Sequence, residues 1–193
     1  MTRSAVHRST VRWWALVIAG ITLVATVAFV AFRGDEGAAG YSTDPAAWDL
    51  PRINGTGHIR LTDFAGRPLV VNFFASWCVA CDAELPGFAA ASAALRGQVA
   101  FVGVNALETG DRSFMPRRHG ITWWPLARDV GGSNGDGLHR ALSGGLDAMP
   151  ITAWYDSHGR LLHVDRGALP GSALRARLHE LYAIDVPASG AAG

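Results

Sequence analysis

Two cysteines, Cys78 and Cys81, are the only thiols in this chain of 193 residues, and two residues separate them. They lie shortly after the apolar run LVVNFF at 69–74, where a buried strand would end and a helix would begin. At a helix N-terminus the first sulfur meets unpaired N–H groups and the positive end of the helix dipole, and both favour the thiolate. We therefore predict redox chemistry in which Cys78 attacks and the deeper, less exposed Cys81 resolves the mixed disulfide.

Other uses of a Cys-x-x-Cys pair fit the sequence less well. Attachment of c-type haem needs a His after the second Cys, where this chain has Asp82. A structural zinc site needs four ligands, and a structural disulfide across so short a loop removes little chain entropy. The main alternative is an extracytoplasmic copper-binding or copper-delivery protein that uses the same two thiols. We predict no cofactor and no resident metal.

Composition narrows the function classes further. Hydrophobic residues make up 49% of the chain and charged residues 17%, which excludes an intrinsically disordered protein. The formal net charge of +1 provides no global field for nucleic acid, so nucleic acid is not a predicted partner. Two cysteines also exclude a disulfide-dense scaffold.

The N-terminal segment predicts a membrane anchor. Residues 13–32 form an uncharged run of 20 residues, about the length that crosses a bilayer core of ~30 Å. Three arginines precede the run and one, Arg33, follows it, so residues 1–12 should be cytoplasmic and the rest of the chain outside. A cleaved signal peptide is the alternative, but its apolar region is usually only about 7–15 residues long. Both alternatives place the following domain outside the cytoplasm.

The remaining chain divides into a linker at 33–47, one domain at 48–185 and a disordered tail at 186–193. Within the domain, strand and helix patterns alternate and then end in a hairpin and a helix capped by Ser172, which predicts an α/β domain with a mixed sheet. The predicted strands are 58–61, 69–74, 99–104, 125–128, 151–155 and 161–165, and the predicted helices are 78–95, 111–119, 135–142 and the final one.

The segment VVNFFASWCVAC resembles the active-site segment of the thioredoxin superfamily, and more closely that of its TlpA/ResA-like membrane-anchored thiol:disulfide oxidoreductases. LTDFAGRPL upstream, Glu84-Leu85-Pro86 and Ala148-Met149-Pro150-Ile151-Thr152 are also similar to this branch, so the resemblance covers roughly 48–182. It implies a thioredoxin-like fold, with a mixed central sheet flanked by helices and an N-terminal transmembrane helix.

The resemblance also implies roles for individual residues. Cys78 matches the nucleophile, Cys81 the resolving thiol, and Glu84 a carboxylate that would transfer the proton of Cys81. The alternative for Glu84 is a glutamate of the first helical turn, favoured there by the helix dipole. Asn72 stands where cytosolic thioredoxins carry a buried Asp, and because Asn cannot titrate, Glu84 is the better candidate for the acid.

Pro150 matches the cis proline of the fold, whose preceding peptide at Met149 would pair with a substrate segment. Trp77 is expected to contact substrate rather than to do chemistry. The function so implied is that of an extracytoplasmic, single-pass membrane thiol–disulfide oxidoreductase that reduces or oxidises proteins. Apocytochrome c during cytochrome c maturation is the expected substrate, and a membrane redox partner would recycle the dithiol.

Overall fold

The computed structural model describes residues 41–131 and 136–187. The predicted cytoplasmic segment 1–12 and the predicted anchor 13–32 lie outside the described residues. Within the described ranges, no helix is long and apolar enough to cross a bilayer.

Seven strands and four α-helices make up the described domain. The strands are β1 (Asp49–Pro51), β2 (His58–Arg60), β3 (Leu69–Phe74), β4 (Ala100–Asn105), β5 (Leu126–Arg128), β6 (Ile151–Tyr155) and β7 (Leu161–Arg166). The helices are α1 (Val79–Ala94), α2 (Phe114–Arg118), α3 (Leu138–Ser143) and α4 (Gly171–Tyr182), and a 3₁₀ turn spans Leu61–Phe64.

Five of the strands form one mixed sheet in the order β5-β4-β3-β6-β7. Strand β3 lies at its centre, parallel to β4 and antiparallel to β6, and β1 pairs with β2 in a separate two-stranded ribbon. The central position explains the continuous apolar sequence of β3, since all six of its residues are buried. The C-terminal end of β3 leads directly to the two cysteines.

The two faces of the sheet contact different parts of the core. Because side chains alternate along a strand, Val70 and Phe74 pack with Leu85 and Phe88 of α1 and with α4. Residues Leu69, Val71 and Phe73 pack on the opposite face, with α3 and the β1–β2 ribbon. Asn72, between Val71 and Phe73, therefore points to the side of α1.

The predicted α/β architecture with a mixed sheet flanked by helices is confirmed. Strands β3 and β6 have the predicted bounds, while β1 was not predicted because three residues ending in a proline give no periodic signal. The final helix begins at Gly171 after Pro170, so the prediction that Ser172 caps it is wrong. Of the predicted linker, residue Ser42 pairs with Asp49.

Candidate active site

The two cysteines stand at the junction between β3 and α1, as the sequence predicts. Cys78 is the N-cap residue of α1, and its Sγ accepts a hydrogen bond of 3.1 Å from the backbone N–H of Cys81. The sulfurs of Cys78 and Cys81 are joined in a disulfide. When this bond is reduced, the same N–H and the helix dipole stabilise negative charge on Cys78.

Burial differs only slightly between the two cysteines. Cys78 exposes 3% of its surface and Cys81 none, so Cys81 is the deeper residue, but both belong to the buried core. The neighbours of Cys78 are far more open: Trp77 is 48% exposed and Val79 83% exposed. The disulfide therefore lies just beneath an apolar surface.

Glu108, which the sequence analysis missed, holds the segment before the cysteines in place. Its carboxylate accepts hydrogen bonds from the backbone N–H of Ser76 at 2.9 Å and from the Ser76 hydroxyl at 2.5 Å. It also accepts from the side-chain amide of Asn105 and from the backbone N–H groups of Thr109 and Gly110. These hydrogen bonds hold the pKa of Glu108 below its usual range, against the effect of burial. An ionised carboxylate thus joins the loop after β4 to the active-site loop.

A second contact between the same two loops fixes the indole of Trp77. Its Nε1–H donates a hydrogen bond of 2.8 Å to the carbonyl oxygen of Leu107, whose φ of 51° is unusual for a residue with a side chain. The loops also approach closely at Gly110, where a Cβ atom would lie 2.8 Å from the hydroxyl of Ser76. A larger residue there would have to displace the Ser76 hydroxyl, which donates to Glu108. No local sequence signal reveals these contacts, because they join positions about 30 residues apart.

Glu84 lies in the second turn of α1, and only 3% of its surface is exposed. Its Oε1 accepts a hydrogen bond of 2.7 Å from the side-chain amide of Asn72, and its Oε2 accepts one of 2.7 Å from the backbone N–H of Leu169. The acidic residue in the first turn of α1 is Asp82, not Glu84. A role for Glu84 as a first-turn residue favoured by the helix dipole is therefore wrong.

Burial changes the chemistry available to Glu84. Desolvation of the carboxylate raises its pKa to about 7, although the hydrogen bonds from Leu169 and Asn72 act in the opposite direction. The negative charge of Asp165 adds to the increase. A carboxyl with such a pKa can both accept and donate a proton near neutral pH.

Asn72 connects Glu84 to strand β6. Its side-chain amide nitrogen also donates to the hydroxyl of Thr152 over 3.3 Å, and Asn72 is fully buried. Among residues 41–131 and 136–187, nothing forms a hydrogen bond with its Oδ1. The expectation that Asn72 is a hydrogen-bonded strand residue is confirmed, and the group that it binds is the carboxylate singled out from the sequence.

The Met149–Pro150 peptide bond is cis, as predicted. Met149 is half-buried and packs against the core cluster that contains both cysteines. The loop around this bond is held on both sides: His139 contacts the carbonyl oxygen of Ala148 at 2.9 Å, and the N–H of Gly167 donates to the carbonyl oxygen of Pro150 at 2.9 Å. A fixed backbone beside the cysteine cluster is suited to contact an extended substrate.

Asp82, the residue that stands in place of a haem-binding His, has an ionic role. Its Oδ1 lies 2.7 Å from Nε2 of His119 and 2.7 Å from Nε of Arg118. The hydrogen bond with His119 is the main cause that lowers the pKa of Asp82. Asp82 therefore ties the first turn of α1 to the end of α2. Within the described part of the chain, no group of three or more His, Cys, Asp or Glu is arranged to hold a metal ion.

Comparison with known proteins gives the same assignment as the site. A profile of the AhpC/TSA family matches residues 44–132. The thiol:disulfide interchange protein DsbE homolog of Paracoccus denitrificans is 32% identical over 160 residues, which cover 76% of this chain and 84% of that protein. The chain belongs to the DsbE-type family of thiol:disulfide interchange proteins.

Solved structures agree with this membership. A crystal structure described as a putative thiol:disulfide interchange protein DsbE from Chlorobium tepidum is 25% identical, with a TM-score of 0.56, and the match covers 70% of this chain and 91% of the other. A secreted disulfide oxidoreductase of Mycobacterium tuberculosis, homologous to DsbE of E. coli, shares the fold, with a TM-score of 0.57 at 19% identity and coverage of 72% and 100%. This DsbE-type protein therefore has a thioredoxin-like fold.

Other relatives match only in part. Over 86 residues the DsbE-type chain is 31% identical to mouse protein disulfide-isomerase A5, and this match covers 44% of the chain but only 16% of the mouse protein. The fold, the Cys78–Cys81 pair and the family together identify a thiol–disulfide oxidoreductase.

Proposed function

We propose that this protein is a membrane-anchored, extracytoplasmic thiol–disulfide oxidoreductase that exchanges electrons with cysteine pairs of other proteins, including the haem-attachment cysteines of apocytochrome c. The observation that carries the proposal is the position of Cys78, whose sulfur caps helix α1 and is bonded to Cys81. A sulfur in this position is a good leaving and attacking group, because its thiolate is stabilised.

In the reducing direction, the thiolate of Cys78 attacks one sulfur of a substrate disulfide. A mixed disulfide forms, the substrate disulfide breaks, and the released substrate sulfur takes up a proton. Cys81 then loses its proton and attacks the sulfur of Cys78, which re-forms the internal disulfide and releases the second substrate thiolate. Two electrons pass to the substrate, the proton that Cys81 loses balances the one that the first released sulfur takes up, and the oxidising direction reverses every step.

Glu84 is proposed as the group that takes and returns the proton of Cys81. It lies three residues after Cys81 on the buried side of the same helix, and its pKa of about 7 suits both directions. The hydrogen bonds from Asn72 and Leu169 hold the carboxylate in a fixed position. The Glu84→Gln variant tests this role directly.

Substrate binding is proposed at the surface around the disulfide. The half-exposed indole of Trp77 offers an apolar contact, and the Met149–Pro150 loop offers backbone groups for strand-like pairing. A short extended segment that carries the substrate cysteine would fit between them.

Anchoring and location are proposed from the sequence. The uncharged run at 13–32 and the arginines on its N-terminal side support a single span with the domain on the outer face of the membrane. A membrane protein that passes electrons to or from Cys78–Cys81 would then recycle the site.

Equilibration of the full-length protein with redox buffers, followed by thiol quantification, tests the proposal and decides its direction. A reduction potential near that of thioredoxin, about −270 mV, means a reductase, and a value near about −120 mV means an oxidase. Exchange with an oxidised or reduced apocytochrome c peptide should be lost in Cys78→Ser. Tight, stoichiometric binding of Cu(I) by the reduced protein, without any disulfide exchange, would instead favour a copper protein.

A further inference from the structure

A groove runs along the sheet edge at which strands β4 and β5 end. Its first part is a cleft of about 660 Å³, lined by the loop from Asn105 to Gly110, by Arg112 and by residues 128–131. Its second part, of about 490 Å³, is lined by Arg52 and by the β1–β2 ribbon. Arg112 and Arg128 line both parts, so the two clefts are neighbours. We call this surface the arginine groove, after Arg52, Arg112 and Arg128.

The three arginines have no ion-pair partner among the residues that the structure describes. Arg52 and Arg112 are exposed and Arg128 is half-buried. Guanidinium groups stay charged at every physiological pH and present several donors to a carboxylate. The groove thus offers three positive charges that no described side chain neutralises by direct contact.

The carboxylates near these arginines already have other partners. Glu108 accepts five hydrogen bonds, one from Asn105 at the end of β4 and four from the two loops beside the cysteines. The carboxylate of Asp129 accepts from the backbone N–H groups of Leu138 and His139, at the start of α3. Asp111 is paired with Arg117, and Asp49 with Arg60 and His58. The acidic groups therefore serve the fold, whereas the arginines remain available for a ligand.

The arginine groove adjoins the redox site directly. Leu107 and Glu108, which line the groove, hold the indole of Trp77 and the backbone of Ser76. Ser76 and Trp77 immediately precede Cys78 in the sequence. A substrate segment that extends from Cys78 across the indole of Trp77 would therefore reach the groove.

We infer that the arginine groove binds an acidic segment that flanks the reacting cysteine of the protein substrate, an inference that rests on the proposed function and adds a substrate class to it. The positive charges are spread over two adjoining clefts, which suits several carboxylates along a chain better than one small anion. Such charges speed encounter with an acidic partner and exclude basic ones.

The test uses the full-length protein in detergent micelles and three disulfide-containing peptides of equal length. The segments that flank their cysteine pair carry Asp and Glu, Ser and Gln, or Lys. The measured quantity is the second-order rate constant for peptide reduction by the pre-reduced protein, at low salt and again in 0.5 M NaCl, where charges are screened over roughly 4 Å. The variants are Arg112→Gln/Arg128→Gln, its charge-reversed form Arg112→Glu/Arg128→Glu, and Arg67→Gln as an exposed control at the N-terminal end of β3.

We expect the wild type to prefer the acidic over the neutral peptide by roughly thirtyfold at low salt, about threefold for each of the three arginines. This ratio should fall toward one in Arg112→Gln/Arg128→Gln and in high salt. It should be unchanged in Arg67→Gln. Arg112→Glu/Arg128→Glu should instead prefer the Lys peptide. Because ratios are compared, a general loss of folding would lower all rates and leave the ratio intact.

A wild type that reduces the neutral peptide but shows no acidic preference would overturn the role inferred for the arginine groove. The proposed function would still stand. An acidic preference of undiminished size in both double variants would also overturn the role inferred for the groove. Failure to exchange with any of the three peptides would contradict the proposed function itself, and with it this inference. Suppression of the preference by a few millimolar phosphate in place of chloride, at equal ionic strength, would show a small-anion site and overturn the assignment to an acidic chain.

Discussion

The side-chain amide of Asn72 donates a 2.7 Å hydrogen bond to the carboxylate of Glu84, and both residues are buried away from solvent. The other end of the amide, Oδ1, has no hydrogen-bond partner in the part of the chain that the structure describes. An amide presents a donor at one end and an acceptor at the other, so rotation about its last bond would let Oδ1 accept from a protonated Glu84. Asn72 can therefore stabilise both protonation states of the carboxyl, as a proton-transfer group requires.

Replacement of Glu84 by Gln should change the pH dependence of exchange. Because burial raises the pKa of Glu84 to about 7, its ability to take the proton of Cys81 should increase between about pH 6 and 8 in the wild type. We expect Glu84→Gln to lose this step and to reduce substrate disulfides about 100-fold more slowly at pH 8, the lower end for general base catalysis. Stopped-flow rates across pH 5–9 measure it.

The matched control is Glu180→Gln, since Glu180 is an exposed carboxylate on α4 that pairs with Arg177. Its pH profile should equal that of the wild type. An unchanged profile in Glu84→Gln would show that the carboxyl only holds the fold.

Glu84 should also make the stability of the protein depend on pH. A carboxyl whose pKa is higher when folded binds its proton more tightly in the folded state, so its contribution is complete below the unfolded pKa of 4.5 and is lost as pH rises through about 7. We expect the free energy of unfolding to fall by roughly 3 kcal/mol from this group between pH 4 and 8. Urea unfolding of the wild type and Glu84→Gln should show the difference. Parallel curves for the two proteins would contradict the raised pKa.

Cys78 should be the attacking thiol and Cys81 the resolving one. Cys78 is the N-cap of α1 and is next to the exposed Trp77 and Val79, whereas Cys81 is fully buried. We expect iodoacetamide at mildly acidic pH to label Cys78 at least tenfold faster, as measured by peptide mapping of the reduced protein. Cys81→Ala should accumulate mixed disulfides with substrate, and Cys78→Ala should not. Faster labelling of Cys81 would reverse the two roles.

Glu108 should keep the active-site loop ordered. Its carboxylate binds both the backbone N–H and the hydroxyl of Ser76, so Glu108→Ala leaves several donors without a partner and should cost about 2–3 kcal/mol of stability. We also expect faster hydrogen exchange at the Ser76 amide and slower disulfide exchange at Cys78. Exposed Asp63, whose carboxylate accepts from Arg60, serves as the control. Unchanged amide exchange at Ser76 in the variant would contradict this role.

The full-length chain should remain in the membrane fraction with its domain outside. The uncharged run at 13–32 and its flanking arginines predict this topology. Protease added to intact spheroplasts should remove the domain without prior lysis of the cells. A domain protected from protease would contradict the topology, and a mature N-terminus beyond residue 33 would show a cleaved signal peptide instead.

The sequence predicts most of the sheet and the location of the disulfide for a common reason. The apolar run of β3 and the Cys-x-x-Cys that follows are local patterns, and burial of a central strand demands such a run. The bounds of short elements are harder to predict from the sequence. The pattern predicts a helix over 111–119, but α2 spans only Phe114–Arg118. Weak periodicity over so few residues leaves helix ends undefined.

The sequence by itself determined the chemistry of this protein, since two thiols at a helix N-terminus and a carboxylate on the same helix follow from spacing within one segment. Only the tertiary structure decided how that chemistry is tuned. Glu84 meets the backbone of Leu169, 85 residues further along the chain, and Ser76 meets Glu108 across 32 residues. Burial and hydrogen bonding set the pKa of a carboxyl, and both depend on which distant segments the sheet brings together. Spacing along the chain cannot reveal them.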